Sequence, residues 1–275
     1  MTSRASDPDA PRPGRPAWQR LAALVVILAV VAAGGAGVWY LFLRPAAPAA
    51  VGLGALPSAT PTVAGEASGS PAVSTAEPAA SAATGGTGSS GDLAGAWSVD
   101  TSIGSFDDFS SSFVGYRVKE ELAGVGAAEA VGRTPDVTGT LMFEGTAVTE
   151  VEISADLTTL RSDSSMRDGQ LGRQGLETDT FPTATFVLTE PIELGAVPVD
   201  GEAFAATAVG NMTLHGETKQ VELTLEARLV DGVVSVVGSL PIFFGDYGIP
   251  TPESMRVLSI DENGTMEFQL HFTKA

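Results

Sequence analysis

The alternation of apolar and polar positions over residues 208–240 predicts three consecutive antiparallel strands. Across 221–229 every second side chain is apolar and the side chains between them are polar. This period of two indicates a strand with one buried face. The Asp-Gly pair at 231–232 favours a two-residue hairpin turn into the β-rich residues 233–237, and a His-Gly pair at 215–216 predicts another tight turn upstream. Other parts of the chain must therefore cover the apolar face of this three-stranded unit.

The same period recurs after residue 92 and predicts further strands at 97–100, 114–119, 137–143, 151–157, 183–189, 257–260 and 265–272, and it extends the first strand of the three-stranded unit over 204–214. Two stretches break it. The small residues at 127–130 favour a helical turn, and residues 160–181 favour a short helix and a loop with Ser164 or Ser165 as the N-cap. This part of the chain is therefore predicted to be all-β, with about eight antiparallel strands and a short flanking helix. A closed barrel pairs every strand edge whereas a two-sheet sandwich leaves edges exposed, and periodicity alone does not separate the two.

Residues 21–43 form an uncharged apolar stretch of 23 residues between Arg20 and Arg44. As a helix it would be about 34 Å long, enough to span the hydrocarbon layer of a membrane. The arginine excess lies on its N-terminal side, which favours a cytoplasmic N-terminus. We therefore predict a single-pass transmembrane helix in the cell membrane that places the C-terminal domain outside the cytoplasm. The alternative is a cleaved signal peptide, which exports the same domain.

The segments on either side of this apolar stretch are predicted to be disordered. Residues 1–20 are polar and contain four prolines, and residues 44–92 consist mainly of Ala, Pro, Ser, Thr and Gly without an aromatic side chain. Neither segment can bury enough apolar surface to offset the entropy lost on ordering. We therefore expect a cytoplasmic tail over 1–20, a mobile linker over 44–92 and one folded barrel domain over 93–275.

The net charge of −18 arises entirely after Asp92, because the residues up to that point include five acidic and five basic ones. Such an acidic domain repels phosphates, which excludes nucleic-acid binding through a basic patch. The absence of cysteine excludes a disulfide framework, a thiolate metal site and a Cys nucleophile. His215 and His271 lie on different hairpins and lack the spacing of a zinc site. We therefore expect neither a metal nor a cofactor.

Five short motifs, in their order along the chain, resemble those of the YceI family of exported lipocalin-like domains. They are Trp-Ser-Val-Asp at 97–100, Arg-Asp-Gly-Gln-Leu at 167–171, Phe-Pro-Thr-Ala-Thr-Phe at 181–186, Val-Gly-Asn-Met-Thr-Leu-His-Gly-Glu-Thr-Lys at 209–219 and Phe-Gly-Asp-Tyr-Gly-Ile at 244–249. The likeness extends over residues 94–272. It implies an eight-stranded antiparallel lipocalin-like barrel flanked by a helix. The apolar interior of such a barrel would hold a polyisoprenoid or another long-chain amphiphile.

This resemblance makes the apolar and aromatic residues of the strands and loops candidates for the ligand cavity. The candidates are Phe106, Phe109, Phe113, Tyr116, Phe143, Phe186, Leu188, Met212, Leu214, Phe243, Phe244 and Tyr247. A barrel lined by such groups favours a hydrocarbon, since removing apolar surface from water gains about 25 cal/mol per Å². Arg167 and Asp168 are candidates for contact with a ligand headgroup or for the barrel entrance; the alternative is an ion pair that fixes the helix.

The chain departs from the family pattern at two places. Ser105 and Phe106 stand where the family often carries an early histidine, and Gln170 stands where a histidine is common in the Arg-Asp motif. Headgroup contacts made by such histidines therefore do not transfer to this chain. The polar end of the ligand is left open by the sequence.

The resulting prediction is a membrane-anchored extracytoplasmic protein that sequesters or transports an isoprenoid-like lipid and is not an enzyme. One alternative is a structural or interaction domain of the cell envelope with a solid core. Another is a lipid-modifying enzyme that uses Asp168 or His215 as an acid or base, although no Gly-x-Ser-x-Gly nucleophile motif occurs. A homodimer is also left open.

Overall fold

The computed structural model describes residues 47–53, 93–251 and 257–275. The predictions for 1–20, for the apolar stretch 21–43 and for most of 44–92 concern residues outside these ranges. Within the described ranges, no helix has both the length and the apolar character needed to cross a membrane.

The described chain is dominated by strands that pair antiparallel in one sheet. The strands are β1 (Gly95–Val99), β2 (Phe113–Leu122), β3 (Gly126–Thr134), β4 (Val137–Glu144), β5 (Ala147–Asp156), β6 (Arg161–Ser162), β7 (Thr183–Leu188), β8 (Ile192–Glu193), β9 (Ala203–Leu214), β10 (Glu217–Val230), β11 (Val233–Phe243), β12 (Val257–Ile260) and β13 (Asn263–Lys274). One short α-helix, α1 (Ser165–Gln170), lies between β6 and β7. The all-β prediction with a short helix is confirmed.

Eight of these strands close into a barrel. Their order is β1-β4-β5-β7-β9-β10-β11-β13, and β13 pairs back onto β1 with Phe272 opposite Val99. Closure pairs the strand edges that an open sandwich would leave exposed. The structure therefore decides between the two architectures that the periodicity left open, and it is the barrel implied by the resemblance.

The strand β13 carries two neighbours along one edge. Its C-terminal end pairs with β1, and its residues 265–269 pair with β2. Strand β2 pairs in turn with β3 and β12, and β3 pairs with β6. These strands extend the barrel wall at the end where α1 lies.

The meander predicted from residues 208–240 is present as β9, β10 and β11. Leu214 is paired with Glu217 across the first turn, and Val230 is paired with Val233 across the second. Both residues of each turn have positive φ, with 52° and 78° at 215–216 and 50° and 78° at 231–232. These values match the turn that a two-residue hairpin requires.

The helical turn predicted at 127–130 is wrong, because these residues belong to β3. Small side chains carry little strand preference of their own, and pairing with a neighbour decides their conformation. Residues 126–134 pair along the whole length of β2. A Cβ at Gly132 would lie 2.4 Å from the Tyr116 ring, so a glycine at this position allows the ring to cross the neighbouring strand.

The helix predicted in 160–181 begins where the sequence indicated. The side chain of Ser164 is the N-cap and accepts a hydrogen bond from the backbone N–H of Arg167, which satisfies one free donor of the first turn. The helix continues into a π-helical turn over Leu171–Gly175.

Residues 48–53, which fall within the predicted linker, contact the barrel. Leu53 is buried and packs with Val51 against Val237 of β11. This short segment therefore lies on the outside of the barrel wall.

Candidate functional site

An apolar cavity lies inside the barrel. Its volume is about 130 Å³ and it is partly open to solvent. Seven of the eight ring strands, all except β1, contribute side chains to its wall, together with Val114 of β2, Ile192 of β8 and Leu194. Thr185 is the one polar residue among the described residues that line it. A cavity with an apolar wall stays dry and accepts apolar molecules, so this site has the chemistry to hold hydrocarbon.

Small residues at inward positions help to keep this space open. Ala155 of β5, Ala206 and Ala208 of β9 and Ala227 of β10 all lie in the cavity wall. Larger side chains at such positions would fill the interior, as they do in the solid core of a small barrel. In the sequence these alanines are in phase with the larger apolar residues of their strands, although the predicted cavity residues include none of them.

Two phenylalanine rings lie over glycines in the same wall. A Cβ at Gly210 would lie 2.4 Å from Cζ of Phe186, and one at Gly238 would lie 2.6 Å from Cζ of Phe268. Such distances are much shorter than the contact distance of about 3.5–4.0 Å between carbon atoms. The absence of a side chain at these glycines therefore lets both rings lie along the wall.

Three of the predicted cavity residues, Phe143, Phe186 and Met212, lie in the wall. Others belong to the packed core and are not among the residues that line the cavity, namely Leu188, Leu214, Phe244 and Tyr247. Phe243 has a side chain that is 58% exposed. The alternation along β11 explains this, because Ile242 is the buried neighbour and the next side chain points to the other face.

Phe106, Phe109 and Phe113 form a cluster outside the barrel. Their rings contact one another edge to face, with centroids 5.5 Å apart for the first pair and 6.1 Å apart for the second. The guanidinium carbon of Arg133 lies 4.3 Å from the ring centroids of both Phe109 and Phe113. The guanidinium carbon of Arg161 lies 4.9 Å from the ring centroid of Phe106. The three rings therefore contact cations on the outer wall and do not line the cavity.

The Arg133 side chain is almost completely buried and is paired with Glu267 of β13. Its Nε and Nη2 atoms donate to Oε1 of Glu267 at 2.9 and 2.6 Å. Arg117 of β2 donates to the other carboxylate oxygen at 3.3 Å. The carboxylate thus accepts hydrogen bonds at both of its oxygens, as a buried charge requires.

The connection between β1 and β2 covers the outward face of β13. Gln269 donates from Nε2 to the carbonyl oxygens of Phe109 and Ser111 at 3.1 and 2.9 Å. The backbone N–H of His271 donates to Oγ of Ser112 at 2.9 Å. Both Gln269 and His271 are 2% exposed, so the strand is buried on its polar face as well as on its apolar face.

His271 is held in a neutral form by these surroundings. Nε2 lies 2.9 Å from the carbonyl oxygen of Ser110 and must carry the proton, while Nδ1 accepts from Oγ of Ser235 at 2.8 Å. Burial lowers the pKa of His271, although the hydrogen bond to Ser110 and the charge of Asp100 act in the opposite direction.

This lowered pKa predicts that the folded domain loses stability when the pH falls. Between the ordinary histidine pKa of 6.5 and the lower folded value, the unfolded chain binds the proton that the folded chain excludes, so the free energy of unfolding decreases as pH falls through this window. Melting temperatures measured from about pH 7.5 to 5.5 should therefore decrease, and His271→Gln should reduce the slope. An identical slope in the wild type and the variant would show that another group controls this dependence.

A polar cluster occupies the end of the barrel where α1 lies. Arg167 donates from Nη2 to Glu120 at 2.7 Å and from Nη1 to the Asp163 carboxylate. Asp168 accepts from the hydroxyl and the backbone N–H of Ser162. In the described residues Arg167 therefore forms ion pairs with Glu120 and Asp163 and not with Asp168, although both Arg167 and Asp168 contact the Ser162 hydroxyl.

Tyr116 borders this cluster on the inner side of β2. It lies opposite Met266 of β13 in the strand register, and both Met266 and Val114 line the cavity. Within the described residues, the buried hydroxyl of Tyr116 has no hydrogen-bond partner. Burial raises the pKa of Tyr116, so the group remains a neutral donor.

His215 and Asp168, the two candidates for acid–base chemistry, belong to separate networks. His215 bonds through Nδ1 to the carbonyl oxygen of Tyr247 and through Nε2 to Glu177, at 2.9 and 3.0 Å. Its ring also contacts Phe181, with centroids 4.5 Å apart. These contacts fix the turn between β9 and β10. The described part of the chain contains no group of three or more His, Cys, Asp or Glu residues suited to a metal ion.

A known family model matches nearly the whole of this barrel. Residues 97–272 match the model of the YceI-like domain. The chain belongs to the YceI-like domain family. The resemblance carried by the five motifs is thereby confirmed.

Solved structures share the fold of this YceI-like domain at low sequence identity. One is a polyisoprenoid binding domain from Saccharophagus degradans implicated in plant cell wall breakdown, with a TM-score of 0.51, 18% identity, and coverage of 65% of this chain and 98% of that chain. Another is BcnA from Burkholderia cenocepacia, with a TM-score of 0.48, 17% identity, and coverage of 63% and 98%. No match was found among curated proteins.

Proposed function

We propose that this YceI-like domain binds the hydrocarbon chain of an isoprenoid-like or other long-chain amphiphile inside the barrel. The apolar cavity enclosed by the eight strands carries this proposal. In an interaction domain with a solid core, side chains would fill this space. The polyisoprenoid binding named for the Saccharophagus degradans domain suggests the ligand class.

The size of the cavity bears on how a long chain would enter. A volume of about 130 Å³ is similar to that of engineered protein cavities of roughly 150 Å³ that bind benzene. A longer hydrocarbon therefore requires side chains of the wall to move. Met212 and Met266 lie in this wall, and unbranched methionine side chains change conformation readily.

The polar end of such an amphiphile would lie beside the cluster at α1. The hydroxyl of Tyr116 is a buried donor without a partner in the described structure, and Arg167 and Glu120 are close enough for their charges to act on its pKa. Filling the hydroxyl's hydrogen-bonding capacity would offset the cost of its burial. The proposed headgroup site therefore consists of Arg167, Asp168 and Tyr116.

The location of the protein is proposed from the sequence. The uncharged residues 21–43 and the arginines ahead of them support a membrane anchor with the barrel outside the cytoplasm. In this position the barrel would sequester or carry a lipid without changing it covalently.

Lipid extraction tests the proposed function. The full chain is isolated from the membrane fraction of an expressing cell, extracted with organic solvent and analysed by mass spectrometry. We expect an apolar molecule with a long hydrocarbon chain to be recovered reproducibly with the protein. The same recovery from the cavity-blocked variant Ala208→Phe, or no apolar molecule from the wild type, would contradict the proposal.

A further inference from the structure

We propose that the outer wall of the barrel has a docking groove for the chain's own residues 48–53, here called the strap. Two arginines of the groove bind the strap through its backbone. Arg117 donates from Nη2 to the carbonyl oxygen of Pro48 at 2.7 Å, and Arg133 donates from Nη2 to that of Ala49 at 2.9 Å. The groove lies on the outer face of the wall and the cavity on the inner face, so docking of the strap is separate from lipid binding.

The other end of the strap is held by apolar packing. Leu53 is 5% exposed and contacts Val237, which is 3% exposed, and Val51 packs against the same pair. Val237 of β11 is paired with Gln269, whose side chain lies on the outward face of β13. The strap therefore covers an apolar residue on the outer wall, where a valine without it would face water.

The arginines of the groove are oriented by groups that do not belong to the strap. Glu267 accepts from both of them, and Glu129 is an additional ionic partner of Arg117. The rings of Phe109 and Phe113 hold the guanidinium of Arg133 from two sides. A planar guanidinium fixed in this way presents its remaining N–H groups in a defined direction, so the groove is preorganised for carbonyl oxygens of an extended segment.

The strap lies within the linker predicted over 44–92. Its docking rests on the contacts of residues 48–53 alone and does not depend on the predicted anchor.

Cross-linking between introduced cysteines tests the strap, because the natural chain has no cysteine. Leu53→Cys is combined with Val237→Cys in the full chain, kept in detergent, and treated with a short bismaleimide. The matched control combines Leu53→Cys with Val187→Cys, since Val187 is an exposed residue of β7, three strands from β11 around the barrel. Because docking raises the effective concentration of one thiol at the other, we expect the first pair to cross-link at least about tenfold faster. Equal rates for the two pairs would overturn the proposal.

A second variant tests whether Arg117 contributes to docking of the strap. Arg117→Lys retains the positive charge beside Glu267 and Glu129 but removes the forked guanidinium that reaches Pro48. In the Leu53→Cys, Val237→Cys background we expect slower cross-linking with little change in melting temperature. An unchanged cross-linking rate would overturn recognition of the strap by this arginine, and neither measurement depends on whether the cavity binds lipid.

Discussion

Replacing Ala208 with phenylalanine is expected to abolish most of the lipid binding while leaving the barrel folded. Ala208 lies on β9 in the cavity wall and is 2% exposed, so a phenyl ring at this position enters the space available to a ligand. If the ring displaces about 100 Å² of ligand contact, binding weakens by about 2.5 kcal/mol. This corresponds to a loss of affinity of roughly fiftyfold to a hundredfold. The measurement is the amount of apolar molecule extracted per mole of protein.

The matched control for this substitution is available on the same strand. Ala205 lies on the exposed face of β9, and Ala205→Phe should leave the extracted lipid unchanged. The melting temperature of Ala208→Phe is equally informative, because extra atoms in a filled core cost about 1–3 kcal/mol. A strongly lowered melting temperature without any loss of lipid would show that this position belongs to a solid core.

Replacing Glu267 with glutamine is expected to produce the largest loss of stability. The carboxylate of Glu267 is the shared partner of Arg133 and Arg117 on the outer wall. Glutamine has the same shape without the charge and leaves a buried guanidinium incompletely compensated. Removing one member of a buried ion pair costs about 3–5 kcal/mol, which corresponds to a decrease in melting temperature of roughly 6–20 °C for a domain of this size.

Glu222→Gln is the control for this prediction. Glu222 lies on the exposed face of β10, where removal of a charge usually changes stability by less than about 0.5 kcal/mol. Thermal unfolding of the two variants and the wild type at neutral pH provides the comparison. A Glu267→Gln protein as stable as Glu222→Gln would show that the buried cluster contributes little to folding.

The Arg133–Glu267 pair is a feature that the sequence could not predict. The two residues are separated by 134 positions, and no local pattern joins a residue of β3 to one of β13. The alternation along β13 correctly indicated that Phe268, Leu270 and Phe272 face inward. It did not show that Glu267, Gln269 and His271 on the other face are buried, because a period of two identifies the apolar side but does not show what covers the other side.

The cavity residues illustrate the same limit. Phe143, Phe186 and Met212 lie on predicted strands, where the alternation indicates which side chains share the apolar face. The structure places all three in the cavity wall. Phe106, Phe109 and Phe113 lie in or next to an irregular segment, where aromatic character indicates burial without identifying the partner. The structure places Phe109 and Phe113 against Arg133 and Phe106 against Arg161, outside the barrel. Whether any of these residues touches a lipid stays a prediction.

The sequence by itself determined the all-β character, the hairpins and the inward faces of the strands, because these depend on neighbours along the chain and on turn residues with positive φ. It also supported the family through five ordered motifs, and the family was confirmed. Only the tertiary structure decided that the barrel closes, that small inward residues leave an apolar space, and that one loop and the strap cover the outer wall. These features depend on contacts between residues far apart in the chain, whose volumes and hydrogen bonds are matched only after the strands have paired.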